Sequence, residues 1–202
     1  MNEVTARATT VTPIVERAMA ANRPIFLWGA PGIGKSELVA GITDSLPGNN
    51  LMIDLRLALM EPTDLRGYPF RNPDTNQMEW SPPVDLPTME QAELYDTIVL
   101  FLDELNSAPP SVQAASYQLI LNGRIGQYEM PSNVRIVAAG NRETDRGVTF
   151  RMPAPLANRF RHINMEVNFL DWQKWAINNS VHPDVIGYLS FAKGDLFDFD
   201  AK

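Results

Sequence analysis

Residues Phe26 to Leu38 read FLWGAPGIGKSEL, and this stretch decides the fold class. Apolar residues precede a turn with three glycines and one proline, and a lysine and a serine open a helical pattern behind it. The turn matches G-x-x-x-x-G-K-[ST] from Gly29 to Ser36, a pattern that joins a buried strand to a helix. Glycines allow backbone N–H groups to point inward, and the helix directs its positive end to the same point. The stretch therefore predicts a site for the phosphates of a nucleoside triphosphate.

The positions of this phosphate loop have separate expected roles. Its backbone amides form a nest for phosphate oxygens, the Lys35 ammonium adds charge at the β- and γ-phosphates, and the Ser36 hydroxyl binds Mg²⁺. A glycine-rich turn with an unrelated lysine is the alternative, and the strand before and the helix after the turn favour the phosphate site. The residues expected to bind nucleotide are Gly29, Ala30, Pro31, Gly32, Ile33, Gly34, Lys35 and Ser36.

Two carboxylates follow a second buried strand. Residues 98–104 read IVLFLDE, in which five apolar residues precede Asp103 and Glu104. Parallel strands deliver ligands at the carboxyl edge of their sheet, so we expect this pair beside the phosphate loop. Asp103 is then expected to hold Mg²⁺ through water, and Glu104 to polarise the attacking water. An acidic pair at a strand end is common on surfaces, and its combination with the phosphate loop favours the functional interpretation.

A neutral amide follows the next strand. The run RIVAAGN ends in Asn141, whose side chain can orient water or contact the γ-phosphate without competing for Mg²⁺. An asparagine after a strand is usually a turn former. Its position on the strand that follows the acidic pair favours a catalytic role for Asn141.

The composition is that of a globular protein and excludes several classes of function. The 202 residues are 45% hydrophobic and carry a net charge of -7, which argues against a domain that binds nucleic acid nonspecifically. Cysteine is absent, so disulfides and thiolate metal sites are excluded. The two histidines, His162 and His182, are interpreted as structural or surface residues. No run approaches a membrane span and the N-terminus has no apolar signal core, so we expect a cytoplasmic protein.

Apolar runs alternate with helical patterns along the chain, which predicts an α/β fold with a parallel sheet covered on both faces. Strands are expected at 24–28, 50–56, 98–104, 133–141 and 161–167. Helices are expected at 35–46, 88–96 with a Thr88–Gln91 capping box, 111–123, 171–179 opened by Asp171, and 183–191, with a helical turn at 155–160. Residues 61–87 contain six prolines and little periodicity, and are interpreted as an insertion outside the core that contains a hairpin.

These motifs together resemble the AAA+ ATPases, and within them the MoxR-like, dynein-related group. GAPGIGKS resembles the Walker A motif, LFLDELN the Walker B motif, VAAGN the first sensor, and MPAPLANRF the segment of the arginine finger. The insertion EPTDLRGYPF…EWSPPVDLP resembles the insert in the second helix of MoxR relatives, and NGRIGQYEMPSNVRIVAAGN resembles their hairpin before the first sensor. The resemblance runs from about residue 10 to residue 190, with its elements in the family's order.

The resemblance implies more than the residues themselves do. It implies ATP as the nucleotide, a five-stranded sheet ordered 5-1-4-3-2, and a homo-oligomeric ring, usually a hexamer, with nucleotide between subunits. Arg159 is expected to reach the γ-phosphate bound by the neighbouring subunit, with Arg161 and Arg151 as alternatives. Residues 1–167 are expected to form the nucleotide-binding core, and residues 168–202 the start of a helical lid. No arginine follows Arg161 to serve as the family's second sensor, so a reduced or truncated lid is expected.

Three functions are consistent with these motifs. The first is an ATP-driven motor that remodels a protein client, and MoxR relatives often serve proteins with von Willebrand A domains. The second is a DNA-directed motor or loader, in which Arg66, Arg71 and Arg124 form a basic strip while Tyr68 and Trp80 stack on bases. The third is a nucleotide-binding subunit without turnover, which the presence of Glu104 disfavours. The acidic net charge favours the protein client.

Overall fold

A six-stranded parallel sheet forms the centre of the computed structural model, which describes residues 4–142, 145 and 149–197. Its strand order is β1-β10-β2-β9-β6-β3. The six strands are β1 Val4–Arg7, β2 Ile25–Trp28, β3 Asn50–Arg56, β6 Thr97–Asp103, β9 Val134–Gly140 and β10 Arg161–Glu166. Two separate hairpins pair β4 Tyr68–Arg71 with β5 Met78–Ser81, and β7 Arg124–Ile125 with β8 Tyr128–Glu129.

The α/β fold and the predicted order of five strands are confirmed, with one addition. In chain order the five predicted strands are β2, β3, β6, β9 and β10, and they lie in the order 5-1-4-3-2. The sixth strand, β1, pairs in parallel with the edge of β10, from Val4 opposite Ile163 to Arg7 opposite Glu166. The strand β1 is not predicted from the sequence, because VTAR is short and has no apolar run. Its strand conformation depends on the free edge of β10, a contact distant in sequence.

Helices cover both faces of this sheet. They are α1 Ala8–Ala20, α2 Lys35–Ser45, α3 Pro62–Arg66, α4 Met89–Leu94, α5 Pro110–Asn122, α6 Ala154–Ala157, α7 Phe169–Asn178 and α8 Pro183–Phe191. One core contains α1 and α2 residues such as Val15 and Val39, and the other contains α5 residues such as Leu119. Side chains that alternate along β6 supply both cores, with Leu100 in one and Phe101 in the other. A strand buried on both faces explains why its sequence is continuously apolar.

The insertion at 61–87 is only partly outside the core, which corrects the sequence interpretation. Its hairpin is present as β4 and β5, but a short helix, α3, precedes it with a capping box between Glu61 and Asp64. Leu65 and Leu86 are fully buried in the core that contains α5. Two buried leucines separated by prolines have no periodicity that marks them in the sequence. The insertion is therefore anchored at both ends, while all four residues of β4 are exposed.

The helix α8 spans the predicted residues 183–191, whereas α7 begins two residues before the prediction. Asn168, and not Asp171, caps α7, because its side chain accepts the backbone N–H groups of Leu170 and Asp171. The Asp171 carboxylate instead accepts the backbone N–H of Thr9 at 3.0 Å, in the first turn of α1. The α7 helix is thereby tied to the start of the chain. Within the described part of the chain, no helix has the length and apolarity needed to cross a membrane.

Candidate functional site

The phosphate loop lies between the end of β2 and the start of α2, as its sequence predicts. Gly32 and Gly34 have positive φ angles of 76° and 87°, which strongly favour glycine. The Gly29 amide donates to Gly140 O at 3.2 Å and ties the loop to the neighbouring strand β9. The first turn of α2 begins at Lys35, so its free N–H groups and positive dipole end face the loop. This arrangement is suited to binding anions.

The Lys35 side chain is buried and lies in the centre of the site. Only 8% of the residue is exposed. Its ammonium donates to Gly29 O at 2.7 Å, to Ala30 O at 3.1 Å and to Asn141 Oδ1 at 3.1 Å. Burial lowers the pKa of this ammonium from its ordinary value, and the negative charge of Asp103 opposes that shift. Among the residues that the structure describes, no carboxylate is bonded directly to this buried cation, and such a cation is suited to receive an anionic ligand.

The predicted acidic pair lies beside the loop. Asp103 is the last residue of β6, and the Ser36 hydroxyl donates to its carboxylate at 3.3 Å. Glu104 leaves the strand with a left-handed φ of 55°, and its backbone N–H donates to Asp103 Oδ1 at 2.9 Å. The predicted strand 98–104 therefore ends one residue early, and Glu104 lies in the turn that follows it. Asp103 accepts the serine hydroxyl, and both carboxylates line the same cavity.

Asn141 joins the same site from the strand between β2 and β6. It follows Gly140, the last residue of β9, and its carboxamide oxygen accepts the Lys35 ammonium. The predicted strand 133–141 thus ends one residue before Asn141. The sheet order places β9 directly beside both the phosphate-loop strand and the acidic strand. The site residues predicted from three separate motifs therefore meet at one edge of the sheet.

Asn106 is a residue of this region to which the sequence analysis assigned no role. It is 2% exposed, donates from Nδ2 to Asn141 O at 2.7 Å, and accepts the Asn141 backbone N–H at 3.2 Å. Nothing in LFLDELN distinguishes this asparagine from an ordinary turn residue. Its contact with Asn141 spans 35 positions of sequence and depends on the adjacency of β6 and β9.

Two cavities meet at the phosphate loop. The first has a volume of about 360 Å³ and is lined by polar residues of the site, including Lys35, Ser36, Asp103, Glu104 and Asn141. The second has a volume of about 450 Å³ and is mainly apolar, with Ile33, Leu38, Met165, Trp172, Trp175 and Phe197 in its wall. Gly32, Gly34 and Glu37 line both cavities. A polar and an apolar compartment thus share one glycine-rich border.

The three candidate arginines lie at two different edges of the sheet. Arg159 is exposed just before β10, and Arg161 is the first residue of β10, opposite Ile25 at the start of β2. The phosphate loop follows the other end of β2, about 10 Å away along the strand. Arg151 lies instead near the edge that carries the site, because the preceding Phe150 N–H donates to Asn106 O at 2.7 Å. Arg159 and Arg161 therefore lie at the sheet edge opposite the phosphate loop of their own chain.

The site contains the groups that a phosphate–metal complex requires. An ammonium and free helix amides can bind phosphate oxygens, and a neighbouring serine hydroxyl and carboxylate are oxygen donors of the kind that Mg²⁺ binds. Among residues 4–142, 145 and 149–197, no group of three or more His, Cys, Asp or Glu side chains is placed to hold a metal ion. A cation at Ser36 and Asp103 would take its other ligands from water and phosphate, as Mg²⁺ commonly does.

His162 has a structural role, in agreement with the interpretation from the sequence. His162 accepts the Trp28 indole N–H at Nδ1, at 2.8 Å, and its Nε2 lies 2.8 Å from Ala157 O. It also stacks with Phe26. The ring thus joins the strand before the phosphate loop to the turn that precedes Arg159.

Comparisons with known proteins agree with this geometry. Residues 24–160 match the family model of the AAA domain (dynein-related subfamily). Midasin from Giardia intestinalis is 27% identical over 173 residues, which are 82% of this chain and 3% of midasin. A crystal structure of a candidate ATPase from Cytophaga hutchinsonii has a TM-score of 0.59 and 17% identity, and the match covers 89% of this chain and 52% of that one. The structural likeness shows the shared fold, and the chain spans only a part of each of these two proteins.

Proposed function

This chain belongs to the dynein-related subfamily of AAA domains, and from that premise we propose that it hydrolyses ATP with Mg²⁺ to ADP and phosphate and uses this cycle to remodel a protein partner. One observation carries the proposal. Lys35, Ser36, Asp103, Glu104 and Asn141 line a single cavity at the end of the phosphate loop. These residues supply the cation, hydroxyl, carboxylates and neutral amide that phosphoryl transfer to water uses.

Each of these side chains has a proposed role. The Lys35 ammonium and the amides of residues 29–36 bind the β- and γ-phosphates. The Asp103 carboxylate and the Ser36 hydroxyl hold Mg²⁺, which neutralises phosphate charge when it is bound. Glu104 accepts a proton from the attacking water, and the Asn141 carboxamide orients that water or the γ-phosphate. Because Lys35 already bonds to Asn141, phosphate binding is expected to redistribute the hydrogen bonds of both residues.

We assign the nucleoside of ATP to the larger, apolar cavity. It shares Gly32, Gly34 and Glu37 with the polar cavity. Trp172 and Trp175 offer aromatic surface against which a base can stack, while the phosphates extend into the polar compartment. The preference for ATP over GTP rests on the family.

Hydrolysis by this site should require the metal. With the wild-type chain, ATP and Mg²⁺, we expect phosphate release that stops when EDTA is added and returns with excess Mg²⁺. The reason is that the Asp103 carboxylate and the Ser36 hydroxyl carry no positive charge, so the metal is needed to neutralise the phosphates. Phosphate release measured by a coupled assay checks this. Release that EDTA leaves unchanged would contradict the metal assignment, and no release under any assembling condition would contradict the ATPase assignment.

A ring-shaped homo-oligomer, most simply a hexamer, completes the proposed site. Arg159 lies near the sheet edge opposite its own phosphate loop, and its exposure leaves it free to enter the site of a neighbouring subunit. An arginine at that position stabilises the charge of the transition state. The same position supports Arg161 as the alternative, whereas Arg151 lies near the edge that carries its own site.

Arg159→Ala should lower the turnover of the assembled protein by at least about 100-fold, because arginine fingers contribute about 10³ to 10⁵ to phosphoryl transfer. ATP affinity should change little. The matched control is Arg23→Ala, which removes another exposed arginine. Steady-state turnover and nucleotide titration at the same protein concentration distinguish the two effects.

Mixing experiments test whether the arginine acts between subunits. The Arg159→Ala protein retains Glu104, and the Glu104→Gln protein retains Arg159. A mixture of the two should therefore regain activity above that of either variant alone, through sites formed by one subunit of each kind. A mixture that never exceeds its components, in an assembly shown to exchange subunits, would refute the shared site.

A protein client is favoured over DNA by the hairpin residues themselves. The Arg66 guanidinium lies over the Trp80 ring at 5.0 Å, and Arg71 donates to Asn76 at 2.7 Å within the same hairpin. Both arginines are thus engaged inside the insertion. The aromatic Tyr68 and Phe70 are 59% and 44% exposed, and such surfaces commonly contact protein. The client class, including a protein with a von Willebrand A domain, rests on the family resemblance.

Stimulation of hydrolysis discriminates the two partner classes. DNA, single- or double-stranded, should not increase turnover, whereas a captured protein client should. The Glu104→Gln form, loaded with ATP, is the reagent for capture because it is expected to hold the nucleotide without hydrolysing it. Strong stimulation by DNA would favour the DNA-directed motor instead.

A further inference from the structure

We propose that Asn106 is a positioning residue for hydrolysis, which holds Asn141 in the orientation that the reaction needs. The inference rests on the proposed ATPase function and adds a residue to it. Asn106 lines neither of the two cavities, and the side-chain hydrogen bonds that it forms with residues of the described ranges are to the Asn141 backbone. Its proposed effect on the reaction passes through Asn141, to whose backbone it bonds.

The first observation is a two-point hydrogen bond. The Asn106 carboxamide donates to Asn141 O at 2.7 Å and accepts from Asn141 N–H at 3.2 Å. Both backbone polar groups of one residue are thus held by a single planar amide. A pair of bonds fixes the direction of the Asn141 backbone, whereas one bond would allow it to rotate about the contact. Asn141 lies one residue past the end of β9, where the ladder no longer restrains it.

The second observation is that the Asn106 side chain packs closely against Gly140, where a larger residue would not fit. A Cβ atom at Gly140 would overlap Asn106 Oδ1 and approach the Phe26 ring. Glycine before Asn141 therefore allows the amide of Asn106 to reach the backbone. Asn106 is itself buried, so its polar atoms would lose hydrogen bonds that water cannot replace if Asn141 moved away. The contact is rigid for both of these reasons.

The third observation is that the turn carrying Asn106 is fixed to the same strand. The left-handed conformation of Glu104 reverses the chain after β6, and the Leu105 N–H donates to Ala139 O at 3.0 Å. The Asn106 carbonyl accepts the Phe150 N–H at 2.7 Å. One asparagine therefore joins the acidic turn, the residue after β9 and the segment that returns towards Arg151.

These contacts form a continuous connection to the phosphate loop. Asn106 holds the backbone of Asn141, and the Asn141 side chain accepts the Lys35 ammonium at 3.1 Å. Glu104 lies two residues before Asn106 on the same fixed turn. The turn that carries Glu104 and the Asn106 side chain together hold the backbone of Asn141 relative to the proposed base. Displacements of about 1 Å in such a constellation can cost about 10²-fold in rate.

The first test is Asn106→Leu, with Asn133→Leu as the matched control. Asn133 lies at the other end of β9, and its amide donates to Ala92 O at 3.1 Å and Tyr95 O at 2.7 Å. We expect Asn106→Leu to lower kcat about 10- to 100-fold with ATP affinity within about threefold, and Asn133→Leu to reduce thermal stability with kcat nearly unchanged. Equal kcat for the two variants would overturn the proposal, as would a loss confined to ATP binding.

A double-mutant cycle shows whether the effect passes through Asn141. In an Asn141→Ala background, adding Asn106→Leu should lower kcat by less than about twofold, because the side chain that Asn106 positions is already gone. If the two substitutions multiply in full, Asn106 acts independently of Asn141 and the proposal is wrong. A wild-type protein without ATPase activity would instead contradict the proposed ATPase function. Failure of this proposal and failure of the proposed function are therefore distinguishable.

A second variant covers the case in which Asn106→Leu does not fold. Asn106→Asp keeps the shape and the acceptor for Asn141 N–H, but its ionised form has no donor for Asn141 O. The ratio of its kcat to that of the wild type should fall as the pH is raised. Dividing by the wild-type profile removes the pH dependence that the two proteins share. A ratio near one at every pH would overturn the proposal.

Discussion

Glu104→Gln is expected to lower the rate of ATP hydrolysis by about 10² to 10⁴, the range that a positioned general base contributes. The substitution keeps the size of the side chain and the left-handed turn at residue 104 while it removes the carboxylate. ATP binding should be preserved within about threefold, because the phosphates are assigned to Lys35 and the loop amides. Single-turnover hydrolysis and nucleotide titration measure the two quantities separately.

The matched control for this variant is Glu90→Gln in the first turn of α4. Glu90 is exposed and lies outside the cavity that Glu104 lines. Its substitution should leave both turnover and affinity unchanged. If the Glu104→Gln protein hydrolyses ATP at the wild-type rate, the base is another residue and the role proposed for the acidic pair is incorrect.

Lys35→Ala is expected to weaken ATP binding by about 100-fold. Hydrogen bonds to charged groups contribute about 1.5 to 3 kcal/mol each, and every 1.4 kcal/mol corresponds to tenfold in affinity. The loss of the ammonium also leaves Gly29 O, Ala30 O and Asn141 Oδ1 without this donor. Isothermal titration with a non-hydrolysable ATP analogue measures the affinity, and thermal unfolding checks that the loop remains folded.

Lys174→Ala provides the control for the lysine. Lys174 is exposed on α7 and has the same side chain without the buried environment of Lys35. The control should bind the analogue as the wild type does. An unchanged affinity in Lys35→Ala, with the protein folded, would mean that the turn at 29–36 does not bind the triphosphate.

The local parts of the site could be predicted because each depends on residues that are close together in the sequence. The glycines that turn the phosphate loop, the helix that begins at Lys35 and the acidic pair after an apolar strand each depend on neighbours a few positions away. Hydrophobic runs buried on both faces predicted a parallel sheet for the same reason. The Thr88–Gln91 capping box was also predicted, and both of its hydrogen bonds are present.

The errors have a common physical origin in contacts between segments distant in sequence. Asp171 was expected to open its own helix, but it bonds to Thr9, 162 positions away. Leu65 and Leu86 lie among prolines that suggested an exposed insertion, yet neighbouring elements bury them completely. The strand β1 forms only because β10 has a free edge. Local secondary-structure propensity and hydrophobic periodicity carry no information about these distant contacts.

By itself, the sequence determined which chemical groups are available to the proposed nucleotide site, because motif, turn and periodicity are properties of adjacent residues. Only the tertiary structure decided how those groups meet. Lys35 and Asn141 are 106 positions apart, and Asn106 and Asn141 are 35 apart. Their contacts arise because β9 lies between β2 and β6, and because side chains buried from water must complete their hydrogen bonds with whatever that order places beside them.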